Sequence, residues 1–398
     1  MALEASHKVA VFWEHLAAVD RLNEVVPSLL EGDRRLEIMH VLPRSTSRFA
    51  ESVARYVRDF DGRLVTWEWA TDGDRSFDLV LAANSGYDSN LERLPGPVLR
   101  LSHGAVFGKL HQPGPGNGPP LRRPPVNGAV PSTLVRHGRV VAAAIGVAHE
   151  DQRQVLAEVV PETEEVVHVI GDPAYDRAIE ALPRRRELRR AMGVRDKQRL
   201  VLLSSTCGPG SLFGTHPELL DRAVAELPAD HVVVAVLHPV LWGGYGPRRI
   251  KNWFRDARER GLRILAPTSP WLGALVAADT VIGDHGSVTY YGAALGADVL
   301  VVEGRPGEIA PDSPMAELQR RAPRLDLGRP IGSQVAAAAR RPGAAEVHSG
   351  MLTSVPGRSA ELLRALCYDL MGLPEPDTPP ALAPLPLPRF LPDEEGHG

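Results

Sequence analysis

Residues able to bind phosphate or move a proton recur in this chain just past short apolar runs. The densest group follows residues 280–283, Thr-Val-Ile-Gly, which read as a strand. Asp284, His285, Gly286 and Ser287 come next, and the small-residue run up to Gly296 reads as a helix. A helix N-terminus presents unpaired N–H groups and a partial positive charge, so it suits a phosphate. Gly286 lets the backbone come close to a ligand, and Ser287 can cap the helix or donate to a phosphate oxygen. The same run fits an ordinary capped helix that binds nothing.

Further loops carry related chemistry. Ser102, His103 and Gly104, with Lys109 shortly after, follow an apolar run at 97–101. An imidazole there can take a proton from a hydroxyl near neutral pH, or it can merely brace a turn. Ser204, Ser205, Thr206, Cys207 and Gly208 follow the run at 200–203. Hydroxyls and glycines together can form a nest of N–H groups for an anion, whereas nothing marks Cys207 as an activated nucleophile. His238-Pro239 ends the run at 232–237. The proline stops the strand and fixes the direction of the histidine, which can offer charge or a donor to a phosphate. Glu303 follows the run at 299–302 and can accept from ribose hydroxyls or stand as a solvated loop residue. Loops of this kind at equivalent strand ends, in both halves of the chain, read as one active site lined by imidazoles, hydroxyls and backbone donors.

The elements that must hold these loops alternate along the chain. Strands are expected at 8–13, 36–42, 63–67, 78–83, 97–101, 140–147 and 166–170, with helices at 16–30, 47–60 and 151–159. A second set has strands at 200–204, 231–237, 262–265, 280–283 and 299–302, and helices at 217–226, 248–260, 271–277 and 359–371. Short apolar runs separated by helical patterns mean parallel strands with crossover helices. Two successive sets predict two doubly wound α/β sheets facing each other, with ligands beyond the carboxyl ends of the strands. The expected organisation is an acceptor-side domain over 1–170, a donor domain over 171–345, a crossover helix segment over 346–372 that packs back toward the first domain, and a disordered Pro-rich tail over 373–398. A Pro/Gly-rich loop at 112–125, containing Arg122 and Arg123, is expected to be mobile.

Composition sets the outer bounds. At 398 residues, with 43% hydrophobic and 24% charged residues, the chain is long and apolar enough for two globular cores. A formal net charge of −4 argues against a nucleic-acid binder working by bulk positive potential. Cys207 and Cys367 supply neither a disulfide framework nor zinc spacing. No metal and no cofactor is expected, and the two cysteines fit a reducing cytoplasm. The N-terminus does not read as a secretory signal, and no apolar run approaches the ~20 residues that span a bilayer. Arg184, Arg185, Arg186, Arg189 and Arg190 have the composition of a weak peripheral contact with the inner membrane face; a solvated helix face is the competing reading.

Taken in order, these signals resemble the CDP-glycerol glycerophosphotransferase family, which makes teichoic-acid-type polymers. They are also similar to GT-B enzymes broadly, including the non-hydrolysing UDP-N-acetylglucosamine 2-epimerases. The residues that carry the resemblance are 171–176 (Gly-Asp-Pro-Ala-Tyr-Asp), the helical run at 185–193, Ser204-Ser205-Thr206, His238-Pro239 and 278–288, with His103-Gly104 and Lys109 in the first half. It covers roughly residues 95–305. The chain departs from the family pattern at Val236, where a lysine is usual, at Asp284-His285-Gly286-Ser287 in place of Asp-Tyr-Ser-Ser, and at Leu101-Ser102, where a tryptophan is usual.

The resemblance implies a GT-B-like α/β fold of two facing Rossmann-like domains with parallel sheets and a C-terminal crossover helix. It implies a nucleotide-diphosphate donor, a hydroxyl-bearing acceptor, His103 as base, and His238 and Ser287 on the donor diphosphate with Asp284 shaping their loop. Two other readings stand beside transfer. One is an epimerase acting on a bound nucleotide sugar, for which Asp172, Asp176 and Glu303 are the candidate carboxylates. The other is a non-catalytic relative that binds a nucleotide or a partner.

Overall fold

The computed structural model describes residues 6–47, 50–57, 60–83, 90–102, 104–111, 123–304, 307–338 and 344–392. The chain forms two compact units, Met1–Asp176 with Leu352–Ala383, and Arg177–Met351 with Pro384–Gly398. The helices used below are α1 (Leu16–Leu29), α2 (Glu150–Val159), α3 (Pro173–Ala181), α4 (Arg185–Ala191), α5 (Pro239–Trp253), α6 (Trp271–Ala277), α7 (Ser287–Ala294) and α8 (Ser359–Met371).

The first unit is built on β1 (His7–Phe12), β2 (Leu36–Val41), β3 (Leu64–Val65), β4 (Leu79–Ala83), β5 (Val98–Leu101), β8 (Ala144–Val147) and β9 (Val167–Val169), with a separate hairpin of β6 (Val135–Arg136) and β7 (Arg139–Val140). The seven sheet strands run in the order β3-β2-β1-β4-β5-β8-β9, and every pairing is parallel. Strands covered on both faces are apolar rather than alternating, as β4 is; β5 is likewise buried at every position but carries Arg100. The apolar stripe of α1, Leu16, Val19, Leu22, Val26 and Leu29, recurs at helical spacing. It shares one core with β1 and β4 and with Leu363, Leu366, Cys367 and Tyr368 of α8. The last long helix of the chain therefore returns to the first unit.

Two local expectations differ. The strand expected over 63–67 is only Leu64–Val65, because Thr66 caps a helical turn, Trp67–Ala70, by accepting from the Trp69 N–H. The strand expected over 140–147 is split. His137 and Gly138, both at positive φ (50° and 72°), form the tight turn of the β6–β7 hairpin. The sheet strand starts only at Ala144.

The second unit carries β10 (Arg199–Ser205), β11 (His231–Leu237), β12 (Arg263–Ile264), β13 (Thr280–Gly283) and β14 (Asp298–Val301) in the order β12-β11-β10-β13-β14, all parallel. The helix expected over 248–260 is longer and broken. α5 begins at Pro239, bends where Gly246 sits at φ 73° ahead of Pro247, and a short helix, Arg255–Glu259, follows. The tail, expected to be disordered, is extended as its prolines dictate and is packed through residue 392. Leu382, Leu385 and Leu391 are buried, the Arg389 carbonyl accepts from the Ala266 N–H, and the Leu391 N–H donates to the Ile264 carbonyl.

Candidate active site

In a doubly wound sheet, ligands bind where the strand order reverses. In the second unit that point lies between β10 and β13, and the loops leaving these strands are two of the groups singled out in the sequence. The register pairs Ser204 with Gly283 and Ser205 with Leu237. Thr206 therefore leaves the sheet with His238 on one flank and Asp284 on the other.

Asp284 joins the two central loops. Its carboxylate is 1% exposed. It accepts from the Thr206 N–H at 2.9 Å, the Thr206 hydroxyl at 2.8 Å, the Leu212 N–H at 2.8 Å and the Gly286 N–H at 3.1 Å. The backbone donors that could cradle a phosphate between these loops are thus turned onto the chain's own carboxylate. Ser205 adds to the brace by accepting from the Phe213 N–H and donating to the Thr206 carbonyl. Gly208, at φ 97°, starts a turn closed by the Ser211 N–H and hydroxyl on its carbonyl.

The close backbone approach at Gly286 is to the protein itself. A Cβ there would lie 2.9 Å from Cγ2 of Thr206. Gly286 is also the N-cap of α7, so Ser287 is the first helical residue and is half-buried. His285 was not singled out by its sequence. Its ring is buried with Nε2 3.4 Å from the Glu308 carboxylate. Glu303 is exposed and ion-paired with Arg324 at 2.9 Å.

His238 is the N-cap of α5, its Nδ1 accepting from the Val240 N–H at 3.2 Å. An acceptor Nδ1 must be unprotonated, so the neutral ring carries its proton on Nε2 and acts as a donor there. The same device recurs at two strand-to-helix junctions of the first unit. His15 caps α1 through Ala18 and His149 caps α2 through Asp151.

The first unit reverses its strand order between β1 and β4. The sequence reading missed the residues that stand there. Glu14 and His15 are both buried, with His15 Nε2 4.0 Å from the Glu14 carboxylate. The register carries Phe12 level with Ala82, and Ala83 level with Leu101. Glu14 and Ser102 are therefore at one level, two strand spacings or roughly 10 Å apart. The available signal was an acid and an imidazole placed directly after the first apolar run. Arg100 of β5 is also buried. Burial pushes its guanidinium down to about 10, opposed by the charge of Glu14, and it donates to the Thr133 carbonyl.

His103 lies outside the described residues. The Ser102 carbonyl before it accepts from Arg21 Nε at 3.1 Å, and the same guanidinium bonds Asp172 at 2.9 Å. Asp172 also caps α3 by accepting from the Tyr175 N–H. Asp176 accepts from the Gly357 and Ser359 N–H groups at the start of α8. Beside Ser102 and Gly104 is a cavity of about 20 Å³, bordered by Arg21, Gln152 and Asp172; it holds one water at most. Lys109 is exposed, and residues 112–122, including Arg122, lie outside the described residues. Arg123 pairs with Glu158.

Three members of the arginine cluster, Arg184, Arg185 and Arg189, bind internal partners, whereas Arg186 and Arg190 are exposed. Arg185 and Arg189 both grip Asp279 and the carbonyls that end α6, and Arg184 pairs with Glu187 and the Leu385 carbonyl. Burial pushes the Asp279 carboxyl up, but the Leu200 N–H and the two guanidiniums outweigh it and hold it below the usual carboxylate value. Among the described residues no three His, Cys, Asp or Glu side chains gather as a metal site requires. No helix among them is long and apolar enough to cross a membrane.

No protein-family description and no curated protein matches the sequence. Solved structures do match the fold. A structure of the wall teichoic acid polymerase TagF soaked with CDPG superposes with a TM-score of 0.62 at 10% identity, covering 93% of this chain and 89% of that one. A further TagF structure gives 0.59, with 93% and 90% covered at 10% identity. UDP-GlcNAc 2-epimerase from Neisseria meningitidis, bound to UDP-GlcNAc, gives 0.50 at 12% identity, covering 92% and 99%. The chain has the GT-B fold. At these identities the likeness is one of architecture. The GT-B fold accounts for the paired parallel sheets and for the return of α8 to the first unit.

Proposed function

We propose that the protein is a transferase that moves a glycerophosphate or glycosyl group from a nucleotide-diphosphate donor to an acceptor hydroxyl. The observation that carries this reading is the ordered set of strand ends in the second unit. The 204–212 and 284–287 loops are locked together by Asp284, with the Nε2 donor face of His238 on the adjoining strand end. In this reading Ser204, Ser205, Thr206 and Gly208 form the donor loop, and Asp284 and Gly286 hold its shape. Ser287 and His238 contact the diphosphate, and Glu303 contacts the ribose. That the TagF and epimerase structures were obtained with CDPG and UDP-GlcNAc supports a nucleotide-type ligand.

His103 would serve as base, with Lys109 on the acceptor side. The hydroxyl proton passes to the imidazole as the oxygen attacks. With CDP-glycerol the attack is at phosphorus and CMP leaves; with a nucleotide sugar it is at the anomeric carbon and the nucleoside diphosphate leaves. The first turn of α7 and the Nε2 donor of His238, arranged before the reaction, stabilise the departing charge. Epimerisation is less well served. It needs carboxylates able to exchange protons, whereas Asp172 and Asp176 are committed to Arg21 and to the start of α8, and Glu303 to Arg324.

The test is a binding panel of CDP-glycerol, CDP-ribitol, UDP-sugars and GDP-sugars, followed by turnover of whichever binds. Ser287→Ala and His238→Asn, the latter keeping a good N-cap, should each weaken nucleotide binding about 10- to 100-fold. His103→Ala should lower turnover roughly 10²–10⁴-fold with donor affinity nearly constant. Unchanged nucleotide affinity in both donor-side variants refutes the donor site. Nucleotide binding without turnover, indifferent to His103, selects a non-catalytic binding protein.

A further inference from the structure

The surface of α5 combines features found together nowhere else among the described arginines and lysines. Tyr245 and Trp253 are each 47% exposed and Val240 is 43% exposed. The bend at Gly246 brings the Tyr245 and Trp253 rings to 4.6 Å, edge to face. The Arg249 guanidinium lies over both rings, at 5.4 and 5.1 Å. Residues 239–253 contain Arg248, Arg249 and Lys251 and no acidic residue. None of the three has a carboxylate partner among the described residues, whereas Arg185, Arg189, Arg222, Arg320 and Arg364 all do. Trp242, Gly246 and Ile250 of the same helix are buried and anchor it.

We propose that this face of α5 docks on an anionic lipid bilayer. Tyrosine and tryptophan pair an apolar body with a polar tip, and arginine and lysine reach outward on apolar stems, which is the chemistry of a membrane interface. The unneutralised charge selects an anionic surface. A second copy of the chain fits poorly, because pairing the same face would oppose two sets of three cations. A grooved acidic protein fits less well than a bilayer, because a tyrosine and a tryptophan beside cations without acidic partners match the mixed apolar and anionic character of a lipid interface. The arginine run at 184–190 does not serve this purpose, since Arg184, Arg185 and Arg189 are spent on internal partners. The proposal needs no donor and no turnover, so it stands or falls independently of the transferase reading.

The experiment is flotation of the full chain with vesicles of phosphatidylcholine alone and with vesicles that also contain phosphatidylglycerol, over a range of salt. Binding should require phosphatidylglycerol and weaken as salt rises. Tryptophan emission should shift to shorter wavelength on binding, and Trp253→Phe should remove most of that shift. Each cation near such a surface strengthens binding about fivefold. Reversing three (Arg248→Glu, Arg249→Glu, Lys251→Glu) should weaken it on the order of a hundredfold or more. Tyr245→Ala with Trp253→Ala should cost about tenfold. Equal or absent binding to both vesicle types overturns the proposal in the unaltered protein, whatever happens to the variants. So does binding that survives charge reversal in a protein with unchanged circular dichroism. Binding that depends on the cations but not on the aromatics, and is matched by soluble heparin, makes the face a general anion site and also overturns it.

Discussion

Asp284→Asn is the substitution that most directly tests how the candidate donor site is held. The side chain keeps its shape, but one carboxylate oxygen becomes an NH₂ group facing N–H donors. Oδ2 accepts from the Thr206 N–H, the Thr206 hydroxyl and the Leu212 N–H, and Oδ1 takes the Gly286 N–H and a second, longer contact from Thr206. The amide does least harm with its nitrogen at the Oδ1 position. Even so, the buried Gly286 N–H loses its acceptor, at a cost of about 1–3 kcal/mol. The surviving bonds change from charge-assisted to neutral, at about 1 kcal/mol each. No longer burying a full charge offsets part of this, which leaves a net destabilisation of about 3 kcal/mol.

That loss should appear locally, because all the donors lie in the two loops. Amide hydrogen exchange is therefore the assay, and it avoids assuming that both units unfold together. Exchange at Thr206, Leu212 and Gly286 should accelerate about a hundredfold, since ~1.4 kcal/mol is a factor of ten. Amides of β1 in the first unit should exchange as before. If the proposed site is right, nucleotide affinity falls as well, although Asp284 itself need not touch the ligand. Unchanged protection at Thr206 and Leu212 would refute the idea that this carboxylate holds the loops together.

Two further perturbations test the first unit. Burial pushes the His40 imidazole down to about 4, so the folded state favours the neutral ring; the associated stability is complete above the free value of about 6.5 and is lost as pH falls from there toward 4, to a total of about 3 kcal/mol. His40→Phe, which keeps the ring contacts with Trp13 and Phe60, should flatten that pH dependence in denaturant titrations, and a persistent slope would assign it elsewhere. Arg21→Met should destabilise by about 3–5 kcal/mol by leaving Asp172 buried without its cation, and adding Asp172→Asn should restore part of the loss in a double-mutant cycle; additive effects would mean that the pair is not coupled.

Which of these features could be read from sequence follows from how local their causes are. Strands buried on both faces appear as continuous apolar runs, so β4, β10, β11 and β13 stand out. The helix over Ser359–Met371 announces itself by periodicity and by the Gly372 that ends it at φ 65°. The roles of charged residues were not legible, because their partners are distant in the chain. Asp284 reaches back 78 residues to Thr206 and Arg21 forward 151 residues to Asp172. Arg185 and Arg189 read as a basic surface because the carbonyls that satisfy them, 88 to 93 residues away, come near only on folding. Glu14 and His15 were visible in the string, but they gain meaning only once β1 is known to border the reversal of strand order.

The run from Asp279 to Asp284 shows why a motif can be informative without its acids being catalytic. Between the two aspartates lie the four residues of β13, each buried. Asp279, at the start, accepts from the Leu200 N–H and takes the two arginines of α4, so it ties the entering chain to the base of β10. Asp284, at the end, accepts from Thr206, Leu212 and Gly286, so it ties the departing chain to the loop leaving β10. The same carboxylate chemistry thus clamps one strand to its neighbour at both ends. At the base a misplaced Asp279 would cost stability alone. At the carboxyl end, where the strand order reverses, the clamp also sets how the 204–212 loop meets the first turn of α7. Both aspartates fix a strand, and in the proposed reading only position in the sheet separates the one bearing on function from the one bearing on stability.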